Sequence, residues 1–287
     1  MKRRGATSKG PGILREAFRP RRTRVGLALC LLIAALAVIG PYVVPYDPTD
    51  YIDLSFAPPS SHAWLGTDYL GRDVFSRFLA GGQNLLVLAV LATALNIVTG
   101  TIVALIAGYS LRFADEALMR SMDLLLAFPP IVLALMCVSV VGPAQWLIVL
   151  VVGLSQMPQT ARLIRTAVVQ VRDLEFIKYA EGIGLPRGRI LRQELLPNVV
   201  APLMVEVGLR LTFSIGLIAS LDYLGLGVQP PSPDWGLIIQ ENQSGLNVTY
   251  WPVLVPVIAI ALLTIGTNLV TDGIARSVGG VDRRLES

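Results

Sequence analysis

Long uncharged apolar stretches alternate along the chain with short segments rich in arginine, glycine and proline. Lipid offers no hydrogen-bond partners to an open backbone, so an apolar stretch of about 20 residues reads as a helix crossing a membrane. Six stretches qualify: Val25 to Val44, Leu85 to Tyr109, Leu124 to Val141, Trp146 to about Ala161, Val199 to about Gly227, and Trp251 to about Ile274. Pro129 and Pro130 predict a kink in the third, not a loop. The expected fold is therefore an all-α integral membrane protein with six transmembrane helices.

The charges give these spans a direction. Basic residues Lys2, Arg3, Arg4, Lys9, Arg15, Arg19, Arg21, Arg22 and Arg24 precede the first span. Its apolar run is too long for a secretory leader and no small-x-small cleavage site follows, so it reads as a retained anchor. With the N-terminus inside, the outer segments hold only Arg72 and Arg77, Arg210 lies within a span, and every other Lys or Arg of the 24 is cytoplasmic. This asymmetry predicts that both termini are cytoplasmic. The organisation expected is a basic tail (1–24), an anchor (25–44), an extracytoplasmic loop (45–82), a five-helix core (83–276) with a cytoplasmic insertion at 173–197, and a cytoplasmic tail (277–287).

Composition agrees and narrows the chemistry. The chain has 287 residues, is 53% hydrophobic and 15% charged, and its mean hydropathy is +0.62, outside the range of soluble domains. Cys30 and Cys137 lie in apolar runs, which argues against a disulfide framework or a thiolate metal site. His62 is the single histidine, so neither a histidine metal site nor a Ser-His-Asp triad is expected. None of the lysines, Lys2, Lys9 and Lys178, follows a glycine, so there is no phosphate-binding Gly-Lys loop.

The cytoplasmic insertion, "EFIKYAEGIGLPRGRILRQELLPN" (Glu175 to Asn198), is unusual between two apolar spans. Asp173 is a candidate N-cap, followed by a helix to about Ile183, with Glu175 in the turn where the helix dipole favours an anion. Gly184 stands where a left-handed C-terminal cap is expected, and Pro186 follows as a stop. Arg187 to Leu196 predicts a second helical piece, and Pro197 is tolerated as the next helix begins. The basic residues would suit anionic lipid headgroups. A structured loop that mixes Phe176, Ile177, Tyr179, Ile183 and Leu185 with charges is better suited to a partner's groove.

Several segments together carry a family resemblance: "WLGTDYLGRDVFSR" (Trp64 to Arg77), "MRSMDLLLAFPP" (Met119 to Pro130), "ARLIR" (Ala161 to Arg165), "LLPN" (Leu195 to Asn198), "YLGLGVQPPSPDWG" (Tyr223 to Gly236) and "NLVTDGI" (Asn268 to Ile274). In order and spacing the chain resembles the second permease of the dipeptide, oligopeptide and nickel branch of ATP-binding cassette importers. That family's cytoplasmic signature falls on Lys178-Tyr179-Ala180, Gly184 and Leu196-Pro197, although only the last alanine of its Glu-Ala-Ala start is kept. Glu194, Met157 and the positions around Ile218 and Asp222 also depart from the usual pattern. The resemblance implies a type I importer permease with a coupling helix between spans four and five, docked on a cytosolic ATPase through Lys178, Tyr179, Ala180, Glu181, Gly184, Leu185, Arg187, Leu196 and Pro197. It also implies a sister permease, two ATPase subunits that hold ATP and Mg2+, an external solute-binding protein, and a bacterial inner-membrane location. No cofactor belongs to this chain and no nucleic acid is expected. Peptide is the expected cargo, with nickel or another small solute as the alternative.

A secondary transporter or channel is the rival from another class, but no inverted repeat is visible. A membrane enzyme would need clustered nucleophiles, acids or ligands, and none is apparent. Glu206 and Arg210, four residues apart on one helix face, read either as an ion pair holding spans together or as pathway lining. Asp222 reads either as a site for a cationic substrate or partner or as a solvated helix end. Asp123 and Arg120 suggest a surface pair. The outer acids Asp47, Asp50, Asp53, Asp68 and Asp73 read as solvated or as contacts for the binding protein. The segment from Gly227 to Tyr250 reads as an ordered cap or re-entrant piece at the outer mouth, and Gly225 and Gly227 as the turn that starts it.

Overall fold

The structure, a computed structural model, describes residues 18, 20–110 and 112–285, with the side chains of 112 and of 279 onward excluded. The basic residues Lys2, Arg3, Arg4, Lys9, Arg15 and Arg19 lie outside the described residues. The elements are helical throughout: α1 (Arg21–Ile39), α2 (Val74–Tyr109), α3 (Arg112–Leu126), α4 (Pro130–Val141), α5 (Gln145–Arg172), α6 (Glu175–Gly182), α7 (Val200–Tyr223), α8 (Trp235–Asn242) and α9 (Trp251–Leu285). Between α6 and α7 runs a second helical stretch, Arg187–Arg189, Ile190–Leu195 and Leu196–Asn198, whose middle part is π-helical. Among the described residues, five helices are long and apolar enough to cross a membrane, or six if the bent pair of α3 and α4 is one span.

The third span departs from the expected kinked helix. It is two helices that meet at 78°. Neither Pro129 nor Pro130 has an N–H to donate, and the residue before a proline is driven out of the α region, so the helix stops near Leu126 and restarts with Pro130 at its first position. The Asp123 pairing is also corrected: its carboxylate meets Arg162 on α5, not Arg120 on its own helix. Asp115 likewise pairs with Arg165, so α3 is strapped across the C-terminal half of α5 at two points.

The outer loop is shorter than the 45–82 expected, because α2 starts at Val74. Asp73 caps it, accepting from the Ser76 N–H at 2.8 Å. Arg77, Gly81 and Gly82 in these first turns broke the apolar pattern in the sequence, but they face protein, not lipid. The C-terminal segment is helical too: α9 runs on to Leu285, beyond the tail boundary set at 277.

Two clusters form the interior. The larger packs Leu85, Ile148, Val152, Ile215 and Trp235 between α2, α5, α7 and α8. The smaller lies at the C-terminal end of α5 and joins its Ile164 and Val168 to Ile177, Ile190 and Leu195 of the insertion. Helices α2 and α5 run side by side in the same direction in close contact. A Cβ placed on Gly153 would fall 2.9 Å from the Ala92 carbonyl, one on Gly100 2.9 Å from Thr160 Cβ, and one on Gly108 2.7 Å from Val168 Cγ1. Helix α1 packs as closely against α9, but antiparallel, with Thr23 at Gly273 and Cys30 at Gly266.

Candidate functional site

The insertion after α5 is built as anticipated in outline, with one change at its start. Leu174, not Asp173, is the N-cap residue of α6, and it supplies no side-chain bond. Asp173 still belongs to the end of α5, 3.6 Å from the Arg172 guanidinium. At the other end Gly184 has φ +79°, and two bonds close the helix: its N–H to the Glu181 carbonyl at 2.9 Å and the Leu185 N–H to the Ala180 carbonyl at 3.1 Å. This double closure requires a left-handed residue after the cap. No atom lies within 4 Å of a Cβ added at Gly184, so a side chain there meets no steric clash. The cost is torsional, about 1–2 kcal/mol for an ordinary L residue and less for asparagine. Gly184→Val is therefore expected to speed hydrogen exchange across Glu175–Gly182 at least severalfold, while Gly184→Asn leaves it within about twofold of wild type.

Burial sorts the residues of the insertion. Ile177 (0% exposed) and Ala180 (5%) face inward onto α5, and Leu185 is partly covered. Phe176 (39%), Tyr179 (70%) and Ile183 (58%) face outward. At spacings of three and four residues they form one apolar row along the helix. Lys178, Glu181 and Arg187 are exposed beside it, Leu196 is half-buried, and Pro197 is exposed on the second helical stretch. Glu181 accepts from the Tyr109 hydroxyl at 2.8 Å, which ties α6 to the end of α2, and Arg172 donates to the Gly108 carbonyl at 2.9 Å. Tyr109 closed the uncharged second stretch and gave no sign in the sequence of this role.

Within the bundle, the structure joins Glu206 to Arg210 at 2.7 Å and adds a partner from another span, the Thr160 hydroxyl, at 3.0 Å from the same carboxylate oxygen. Glu206 is fully buried, and the Arg210 guanidinium also lies over the Phe213 ring, 5.3 Å from its centroid. Further out, the Ser214 hydroxyl meets Gln156 Nε2 at 2.9 Å and the Thr93 hydroxyl at 3.1 Å. A polar seam therefore runs between α7 on one side and α2 with α5 on the other. Glu206→Ala would leave the Arg210 cation without its carboxylate, a loss of about 3–5 kcal/mol when a buried pair is broken from one side. The expected result is a lower thermal unfolding midpoint in detergent, largely restored in the Glu206→Leu, Arg210→Leu double variant.

Asp222 is not with this pair and is not a solvated helix end. It is fully buried at the outer end of α7, facing the N-terminus of α8. Two of the outer acids are likewise buried: Asp68 (0%) and Asp73 (2%). Asp68 belongs to a closed cluster in which Arg72 lies 2.7 Å from Asp68 and 3.2 Å from Glu241, and Arg77 lies 2.6 Å from Glu241 and 3.3 Å from Asp68. Burial pushes the Glu241 carboxyl up even with Arg72 beside it. The Trp235 indole N–H donates to the Phe78 carbonyl at 2.8 Å, and the Tyr69 N–H donates to Asn242 at 2.9 Å. The loop before α2 thus clamps α8 over the outer end of the bundle as a lid. Asp234, which caps α8 by accepting from the Gly236 N–H, and Glu241 lay in a segment read as an ordered cap or re-entrant piece; the Asp-Trp-Gly step at its start was the available signal.

The fold has known counterparts. In solved structures, the chain aligns with an inward-facing methionine transporter, MetNI (TM-score 0.58, 15% identity, 70% of this chain and 96% of that one). It also aligns with an amino acid ABC transporter (TM-score 0.52, 17% identity, 72% and 94%). Both share its fold. Among curated proteins it is 37% identical to the glutathione transport system permease protein GsiD of Pectobacterium atrosepticum, over 85% of this chain and 82% of that protein. It is 32% identical to the dipeptide transport system permease protein DppC of Alkalihalophilus pseudofirmus (91% and 87%), and 34% identical to the di/tripeptide permease DppC of Pseudomonas aeruginosa (87% and 84%). Residues 100–280 match the model of the family described as binding-protein-dependent transport system inner membrane component, and the chain belongs to that family.

Proposed function

We propose that this chain is the non-catalytic permease subunit of an ATP-driven importer, and that it forms half of the pathway by which short peptides, handed over by an external binding protein, cross the inner membrane. The observation that carries this reading is the outward row Phe176, Tyr179 and Ile183 on a helix whose opposite face is anchored to α5. An apolar row beside Lys178, Glu181 and Arg187 suits a groove on a cytosolic ATPase subunit, where ATP and Mg2+ would be held. Both termini are cytoplasmic in this reading. A sister permease helix finds a seat in the apolar groove of about 530 Å3 between α4, α7, α8 and α9. Gly216, Ala219, Ser220 and Ala261 line it, and small residues of this kind let helix backbones approach closely.

Closure of the ATPases on ATP would carry α6 inward as a rigid piece and, through the shared cluster at Ile164 and Val168, tilt α5 with it. The test is purification of the tagged chain from native membranes, followed by reconstitution and uptake of labelled di- and tripeptides and glutathione. Co-purification of an ATPase with ATP-dependent peptide uptake is the expected result. Uptake by the chain alone without ATP would instead make it a secondary transporter or channel. ATP-driven uptake of nickel without peptide would replace the cargo and leave the mechanism intact.

A further inference from the structure

Two carboxyl groups lie close together at one end of the bundle, with no cation paired to either among the described residues. Asp222, in the last turn of α7, and Asp234, the N-cap residue of α8, are both 0% exposed. Each gives one oxygen to the backbone: Asp222 Oδ1 accepts from the Val228 N–H at 2.9 Å, and Asp234 Oδ1 from the Gly236 N–H at 2.8 Å. The other oxygen of each, Oδ2, has no donor among the described residues. Both side chains border Gly236, whose N–H is the donor to Asp234 and whose Cα faces the Asp222 side chain. Backbone closes around them: a Cβ at Gly227 would fall 1.4 Å from Asp222 Oδ1, and one at Gly236 2.6 Å from Asp222 Cβ.

The surrounding elements offer no counter-charge. On α2, a Cβ at Gly81 would lie 3.3 Å from Asp234 Cα, and the ionisable residues in the turns before it are Asp73 and Arg77. Arg77 and its neighbour Arg72 are taken up by Asp68 and Glu241. Glu241 stands at the far end of α8, and the Tyr223 hydroxyl is held by Gln243 at 2.8 Å. The stretch Leu224 to Pro233 has no ionisable side chain, α9 has none between Trp251 and Thr271, and α4 contributes only Cys137. Two buried carboxylates this close together and without a counter-charge repel unless they share a proton.

We propose that Asp222 and Asp234 form a one-proton latch that holds the N-terminus of α8, and with it the outer lid, against α7. With the proton bound, one carboxyl donates an O–H to the other's carboxylate. When it leaves to solvent, two buried anions remain and the lid is driven off. Burial, reinforced by the charge of Asp222, holds the Asp234 carboxyl well above the usual carboxylate range. The sign follows from linkage: an affinity for the proton that is higher docked than undocked favours docking at low pH. That advantage fades as pH climbs from the ordinary carboxylate value to the docked one.

The test is hydrogen exchange of the Trp235–Asn242 amides in the assembled transporter, purified through a tag on this chain, between pH of about 5.5 and 9 and normalised to intrinsic rates. In wild type the opening constant should rise with pH, by at most about tenfold per unit for one proton. In Asp234→Asn the amide donates to Asp222 without a titrating proton, so the profile should be flat, and Asp222→Asn should match it. A flat wild-type profile, or an equally steep one in Asp234→Asn, overturns the latch. So does a wild-type slope abolished by calcium or magnesium, which would make the pair a metal site. Where neither variant assembles, the wild-type slope alone decides.

Discussion

Arg77→Ala is expected to loosen the outer lid and to lower the stability of the chain by about 3–5 kcal/mol, the range for one-sided loss of a buried ion pair. Arg77 is 1% exposed and bridges two carboxylates from distant segments, Asp68 before α2 and Glu241 at the end of α8. Removing it leaves Arg72 as the remaining cation in the cluster for both acids. One buried negative charge is then uncompensated. Arg77→Lys should recover little, because an ammonium is a point charge and does not reproduce the fork that reaches two partners. Thermal unfolding in detergent, with hydrogen exchange across Trp235–Asn242, measures both effects. An unchanged midpoint in Arg77→Ala would mean that Arg72 suffices and that the clamp on α8 is not made by charge.

The second large effect concerns the outward row on α6. Tyr179→Asp should abolish ATPase retention while leaving the fold intact, since the side chain is 70% exposed and touches neither interior cluster. Aromatic residues at the centre of an interface often carry at least about 2 kcal/mol, which corresponds to about thirtyfold in affinity. A carboxylate placed in that contact adds the cost of its own desolvation. Ile177→Asp is the informative contrast. Fully buried against α5, that position should unfold the insertion itself and accelerate its hydrogen exchange. Retention of the ATPase by Tyr179→Asp at wild-type affinity would remove the outward row from the interface.

The spans were legible in the sequence because lipid exposure imposes one simple demand, uninterrupted apolar helix, and the bend at Pro129 and Pro130 declared its position though not its 78° angle. The Schellman closure at Gly184 was legible for a similar local reason. What escaped was set by distant partners. Arg77 and the glycines after it look like loop when read along the chain, yet they begin a helix of 36 residues, because Glu241, far along the sequence, neutralises the charge. Asp222 and Asp234 each look like ordinary helix-end acids, and nothing local reveals that the fold brings them close together. The pairing of Glu206 with Arg210 was readable from spacing; the Thr160 hydroxyl that joins them to α5 was not.

The glycine contacts between α2 and α5 have a mechanical consequence. From Ala92 to Gly108 on one helix and from Gly153 to Val168 on the other, the backbones are too close to slide past each other without collision. The pair is a single strut, braced at its inner end by Arg172 on the Gly108 carbonyl and by Glu181 on Tyr109. A displacement delivered to α6 is therefore transmitted whole and is not absorbed along the way. The strain must surface where helices meet through exchangeable hydroxyl and amide bonds instead of interlocked backbone. That place is the face shared with α7, where Ser214, Gln156 and Thr93 meet, and it makes this face the slip plane of the subunit.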